Sequence, residues 1–105
     1  MVGFLSESSC QIEIAARNPL SALGSIEVTD LKNIPCILVA GADQQEEEQS
    51  YYDEIIGLHG QFLFSDSLQD ARLKIITGQG YLPVDVIGEE TWFDTAVCRI
   101  PLTRN

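Results

Sequence analysis

The longest apolar run in the chain is CILVA at residues 36–40, headed by Pro35. A run that is apolar on both faces is what a central strand of a parallel sheet looks like. Proline at the first strand position costs no ladder bond, because its missing N–H falls before the ladder begins. The run is strand-sized, and no stretch approaches the roughly 18 apolar residues that span a bilayer. Gly41-Ala42-Asp43 then turns the chain.

Around this run, strands alternate with amphipathic stretches. Residues 44–58 predict a helix, with Tyr52, Ile55, Ile56 and His59 on one face. Glu46, Glu47 and Glu48 occupy its first turn, where the helix dipole favours acidic groups. Gly57 and Gly60 supply its stop. Residues 61–64 (QFLF) predict a second strand and residues 65–78 a second helix, opened by an Asp66/Gln69 capping pair. Leu68, Ala71 and Ile75 form its apolar stripe, which Leu73 and Ile76 widen. Residues 81–84 (YLPV) predict a short strand at the sheet's edge or end because of Pro83. Residues 85–95 predict a loop, and residues 96–102 (AVCRIPL) a returning strand.

Upstream, residues 11–17 (QIEIAAR) alternate apolar and polar with the period of a half-buried strand, broken at Asn18-Pro19. Residues 25–33 predict a short strand and one helical turn capped by Thr29. The expected fold class is therefore α/β, a mixed but mostly parallel sheet with helices on both faces. At 105 residues the chain is expected to be a single domain or lobe, 1–105, without repeats or linkers.

Charge excludes some functions. Sixteen Asp and Glu against six Lys and Arg give a formal net charge of −10. Such a surface repels phosphate backbones and anionic lipid, so neither nucleic acid nor membrane is an expected partner of this chain. Residues 1–10 lack the basic start and apolar middle of a signal peptide. Cys10, Cys36 and Cys98 are odd in number and widely spaced, which reads as free thiols in a cytoplasmic protein. No metal or cofactor is expected.

No complete catalytic constellation is present. His59, the single histidine, reads as a helix-terminal residue. Glu46, Glu47 and Glu48 fan over about 300° of helix and cannot converge on one ion. Gly78-Gln79-Gly80 follows a helix instead of opening one, so it reads as a cap and tight turn, not a dinucleotide loop. Trp92, Phe93, Tyr51 and Tyr52 have no basic groove beside them for stacking on bases and read as core or interface.

Four segments, in this order, carry a resemblance. They are Asn18-Pro19-Leu20 after the first strand, the DLKNIPCIL lead-in at 30–38, the GQGYLP segment at 78–83, and RIPL at 99–102. Together they resemble the second lobe of the effector-binding region of LysR-type transcriptional regulators, over about residues 3–103. The resemblance implies one lobe of a type 2 periplasmic-binding-protein-like fold, with crossing strands at 10–17 and 96–102. It implies a bacterial ligand-sensing domain without catalysis, whose DNA contact lies in a winged helix-turn-helix outside this chain. It also implies homo-oligomerisation, with the 65–78 helix as the candidate contact. The alternative for that helix is that both apolar stripes are buried in the lobe.

In that family the effector sits between lobes, outside the carboxyl ends of the strands, as the general rule for open α/β sheets also has it. The matching positions are Gly41, Ala42, Asp43, Gln44 and Gln45, and Leu82, Pro83 and Val84; the start of the second helix, Ser65 to Leu68, lies near the same end. Many relatives carry Ser or Thr after the central strand, suited to a carboxylate. Here Asp43 and Glu46 would offset the attraction of the backbone N–H groups, by on the order of 1 kcal/mol each. A neutral or cationic effector is therefore expected. Two other functions stay open: a free-standing solute-binding or protein-interaction module, and a cysteine enzyme using Cys36 or Cys98 with His59. Burial of the thiols would count against the last.

Overall fold

The computed structural model describes residues 8–87 and 95–103. Trp92, Phe93 and most of the expected 85–95 loop lie outside them. The expected central strand forms as β3 (Cys36–Val39), with Cys36, Ile37 and Leu38 all buried. It pairs in parallel with β4 (Phe62–Ser65), Cys36 facing Phe62 and Val39 facing Ser65. Between them run α1 (Gln45–Ser50) and a π-helical continuation, Tyr51–Ile56. Gly57 ends that segment at φ 93°, a conformation glycine adopts without a steric penalty. The expected face of Tyr52, Ile55, Ile56 and His59 is only half realised: Tyr52 and Ile56 are buried, but Ile55 is 64% exposed. A π turn advances less per residue than an α turn. Residues i and i+4 therefore stay aligned while i+3 swings out. His59 falls in the loop after Gly57, not at a helix terminus.

The second helix is shorter than expected, α2 (Leu68–Ile76). Its cap is Ser67, whose Oγ accepts the Asp70 N–H at 3.1 Å, not the Asp66/Gln69 pair. At its other end the Arg17 guanidinium donates to the Ile76 carbonyl at 3.1 Å, where the helix dipole favours a cation. Near the N-terminus, the turn expected to be capped by Thr29 is a 3-10 turn at Val28–Leu31. Its cap is Glu27, whose N–H donates to Asp30 Oδ2 at 2.9 Å.

The sheet is mixed, and it is not mostly parallel. β1 (Ser8–Ala15) lies between β5 (Leu82–Ile87) and β6 (Val97–Thr103) and runs antiparallel to both. β2 (Ile26–Glu27) adds a short parallel edge to β6. The parallel β3–β4 pair is a βαβ unit, so local alternation revealed it. The antiparallel ladders join the two ends of the sequence, and no local pattern reports that.

The two parts of the sheet meet through one rung. Tyr81 N–H donates to the Pro35 carbonyl at 3.0 Å and the Tyr81 carbonyl accepts the Ile37 N–H at 2.7 Å. The next donor on that side of β5 belongs to residue 83, two positions on. It is proline and has no N–H, so the ladder stops. Gly80 permits the approach, since a Cβ there would stand 2.4 Å from the Pro35 carbonyl oxygen.

The strands together feed two apolar clusters. Cys10, Ile12 and Ile14 of β1, Cys36 and Leu38 of β3, and Ile100 and Leu102 of β6 pack with Tyr52, Ile56 and Leu58. The alternate residues, Ile37, Leu82 and Val97, pack with Ala71 and Ile75 of α2. On that second side Glu13 is 0% exposed. Its Oε1 accepts Arg72 Nε at 3.2 Å and its Oε2 accepts Arg72 Nη2 at 3.1 Å and Arg99 Nε at 2.9 Å. This ionic triad ties α2 to β1 and β6.

Candidate functional site

The chain leaves β3 at Ala40 and turns over Gly41, closed by the Gln44 N–H on the Gly41 carbonyl at 2.9 Å. β4 ends beside it at Ser65, with the Ala40 N–H on the Ser65 carbonyl at 3.0 Å. The carboxyl ends of two parallel strands thus open at one place, which is where such sheets bind ligands.

A cavity of about 340 Å³ lies there, lined by Gly41, Ala42, Gln45, Ser65, Asp66 and Asp70, among others. A second, of about 490 Å³, shares Ala42, Gln45 and Phe64 with it and adds Glu46 and Asp53. Four of the residues expected from sequence, Gly41, Ala42, Gln45 and Ser65, are therefore brought together. Asp43 and Gln44 are exposed and line neither cavity. Leu82, Pro83 and Val84 line a different cavity of about 240 Å³, with Leu38, Val39 and Tyr52. That space is the gap where β3 and β5 part after Tyr81.

The polar groups of the first cavity are already engaged. Ser65 Oγ accepts the Lys74 ammonium at 3.0 Å, and Lys74 also pairs with Asp70. The hydrogen bonds from Lys74 and then from Ser65 hold the Asp70 carboxyl below the usual carboxylate range. Asp66, Glu46, Asp53, Glu48 and Asp85 bring further carboxylates to the three cavities, and no lysine or arginine lines any of them. The negative wall that sequence reading assigned to Asp43 and Glu46 is built mainly from Glu46, Asp66 and Asp70. Asp66 falls in the 65–68 segment expected near this end, whereas Asp70 reaches the cavity because the helix begins later than expected, at Leu68.

The thiols do not assemble a nucleophile. Cys36 is 2% exposed, and burial pushes its pKa up to about 12. A thiol held protonated is inert at neutral pH. Cys10 is also buried, and Cys98 is partly exposed on β6. The histidine that a cysteine enzyme would need is exposed and pairs with Asp53. Among the described residues no cluster of three or more His, Cys, Asp or Glu is placed to hold a metal ion. Among the same residues no helix is long and apolar enough to cross a membrane.

No family model matches the sequence, and no curated protein matches it either. Solved structures do. HinK, a LysR family transcriptional regulator from Pseudomonas aeruginosa, aligns with a TM-score of 0.67 at 19% identity, over 92% of this chain and 34% of its own. The effector-binding domain of QuiR, in complex with shikimate, aligns with a TM-score of 0.64 at 13% identity, over 93% of this chain and 46% of its own. The reduced OxyR regulatory domain from P. aeruginosa aligns with a TM-score of 0.61 at 15% identity, over 91% and 46%. These likenesses establish the fold, a small mixed α/β domain similar to part of a LysR regulatory domain. The chain spans between about a third and a half of the length of these structures.

Proposed function

We propose that this chain is the second lobe of the effector-binding region of a LysR-type transcriptional regulator, working in the cytoplasm and without catalysis of its own. In this reading β1 and β6 are the strands that cross to a first lobe. A small molecule is held between the lobes at Gly41, Ala42, Gln45 and Ser65, with Leu82, Pro83 and Val84 on the adjoining wall. Its binding shifts the relative population of lobe arrangements, and a winged helix-turn-helix outside these residues reads that shift on DNA. One observation carries the reading. The cavities open at the carboxyl ends of β3 and β4, in a lobe whose fold is similar to that of the QuiR domain, which was solved with shikimate.

Two finer points go with it. The carboxylates around Ala42 and Gln45 disfavour a simple anionic effector there, and Lys74 does not reverse this because Asp70 neutralises it. The outer face of α2 carries Leu73 and Ile76, both exposed, and is the surface for a second copy of the chain.

Ala42→Trp tests the reading in the protein that carries this chain. Ala42 is exposed and borders the two cavities at the strand ends. The expected outcome is a regulator with unchanged melting temperature and DNA binding that no longer changes reporter output under its inducing condition. Undiminished induction would contradict the proposal.

A further inference from the structure

The gap between β3 and β5 has a chemistry of its own. Its walls are largely apolar, and at its mouth Val39 and Leu68 are 38% and 45% exposed. Tyr52 lines it and is only 8% exposed. No buried side-chain oxygen or nitrogen among the described residues lacks a hydrogen-bond partner, so the Tyr52 hydroxyl, which makes no hydrogen bond to another described residue, is open to solvent in the slot. Glu48 and Asp85 complete the lining, one on α1 and one on β5. Both carboxylates, after burial itself, disfavour ionisation of the phenol, so all three groups sit within electrostatic reach of one another. The site is thus an apolar slot ending in one hydroxyl and two anions, with no cation among its lining residues.

We propose that this slot is an effector subsite selective for a small ammonium ion bearing a compact apolar tail. The tail lies against Val39, Leu68 and Val84. The ammonium donates to the Tyr52 hydroxyl oxygen and to the carboxylates of Glu48 and Asp85. Pro83 keeps the slot open, because it lacks the N–H with which β5 would continue its ladder to β3. This inference rests on the ligand-sensing reading and specifies the class of ligand.

Four probes test it on the intact chain, each titrated at neutral pH and followed by amide NMR shifts. They are 3-methylbutylammonium, 3-methylbutan-1-ol, 3-methylbutanoate and methylammonium. The first should shift Val39, Tyr52, Leu82, Val84 and Asp85 and bind at least about tenfold more tightly than the alcohol or the carboxylate. Methylammonium, which has charge but no tail, should leave those residues unmoved. The E48Q/D85N double variant should reduce the ammonium probe to the affinity of the alcohol. Tyr52→Phe should weaken it while leaving the alcohol's shifts centred on the same residues. If the double variant fails to fold, E48Q and D85N are read singly, each expected to weaken the ammonium probe. Equal affinity of alcohol and ammonium at these residues would overturn the ammonium selectivity and leave the sensing reading standing. Shifts of equal size with methylammonium, shifts centred on Asp66 and Asp70, or no binding by any probe would overturn the subsite itself. The sensing reading is then judged by Ala42→Trp alone.

Discussion

At the scale of single residues, Glu13 is the most consequential side chain in the fold. Its sequence context, alternating with Ile12 and Ile14, reads as the solvated face of a strand. Instead it is buried and shared by two arginines that arrive 59 and 86 residues later in the chain. Periodicity could place Glu13 opposite the isoleucines, and it did. It could not say that α2 would cover that face. Glu13→Ala leaves two partly buried guanidiniums without their common acceptor, and breaking such a pair costs about 3–5 kcal/mol. Urea denaturation should show a loss of that order, and a loss under 1 kcal/mol would mean the triad is incidental.

Cys36 makes a prediction about pH. Burial raises its pKa from 9.0 in the unfolded chain to about 12 in the fold. The fold therefore favours the neutral thiol. The stability this confers is fully present below pH 9 and is lost as pH rises toward 12, because the unfolded chain ionises first. Burial acts in the same direction on Tyr52 and Tyr81. Melting temperatures measured from pH 8 upward should fall, and Cys36→Val should fall less steeply. An identical slope in the variant would remove Cys36 from the account.

At the scale of elements, β3 was legible because its six-letter context is apolar on both faces and bracketed by proline and glycine. The α1 segment was legible as helix but not in its pitch, since the expected face assumed a constant 3.6 residues per turn. The π-helical turn at 51–56 keeps Tyr52 and Ile56 inward and releases Ile55. The edge position expected of Pro83 is realised on one side only. β5 is fully paired to β1 and bare toward β3 beyond Tyr81. Gly80 is the element's other requirement. Gly80→Ala drives a methyl into the Pro35 carbonyl and should cost about 1–3 kcal/mol. Hydrogen exchange at the Ile37 amide should accelerate with it. Unchanged protection at Ile37 would show that the rung survives the substitution.

At the scale of the whole molecule, β1 and β6, far apart in sequence, pair in the middle of the sheet. The candidate site was legible in part. The rule that ligands sit at strand carboxyl ends located Gly41, Ala42, Gln45 and Ser65. The same rule names Leu82, Pro83 and Val84, which line a different cavity. Asp70 and Tyr52 are not legible as lining residues in the sequence, because their position depends on where the helices begin and how they wind. Charge links the molecule's composition to its site. A chain of net charge −10 presents carboxylates at each of the three cavities described above. A calorimetric titration with a dicarboxylate such as succinate should accordingly show no micromolar binding, and micromolar heat that Gln45→Ala abolishes would refute the charge argument.

The central claim is that this lobe holds a small molecule at the carboxyl ends of its parallel strands. Crystallographic screening with a chemically diverse fragment set tests it most directly. The account predicts that bound fragments concentrate in the cavities bordered by residues 40–45, 64–66 and 82–85. Fragments scattered over the surface, or gathered on the outer face of α2 with those cavities empty, would contradict it.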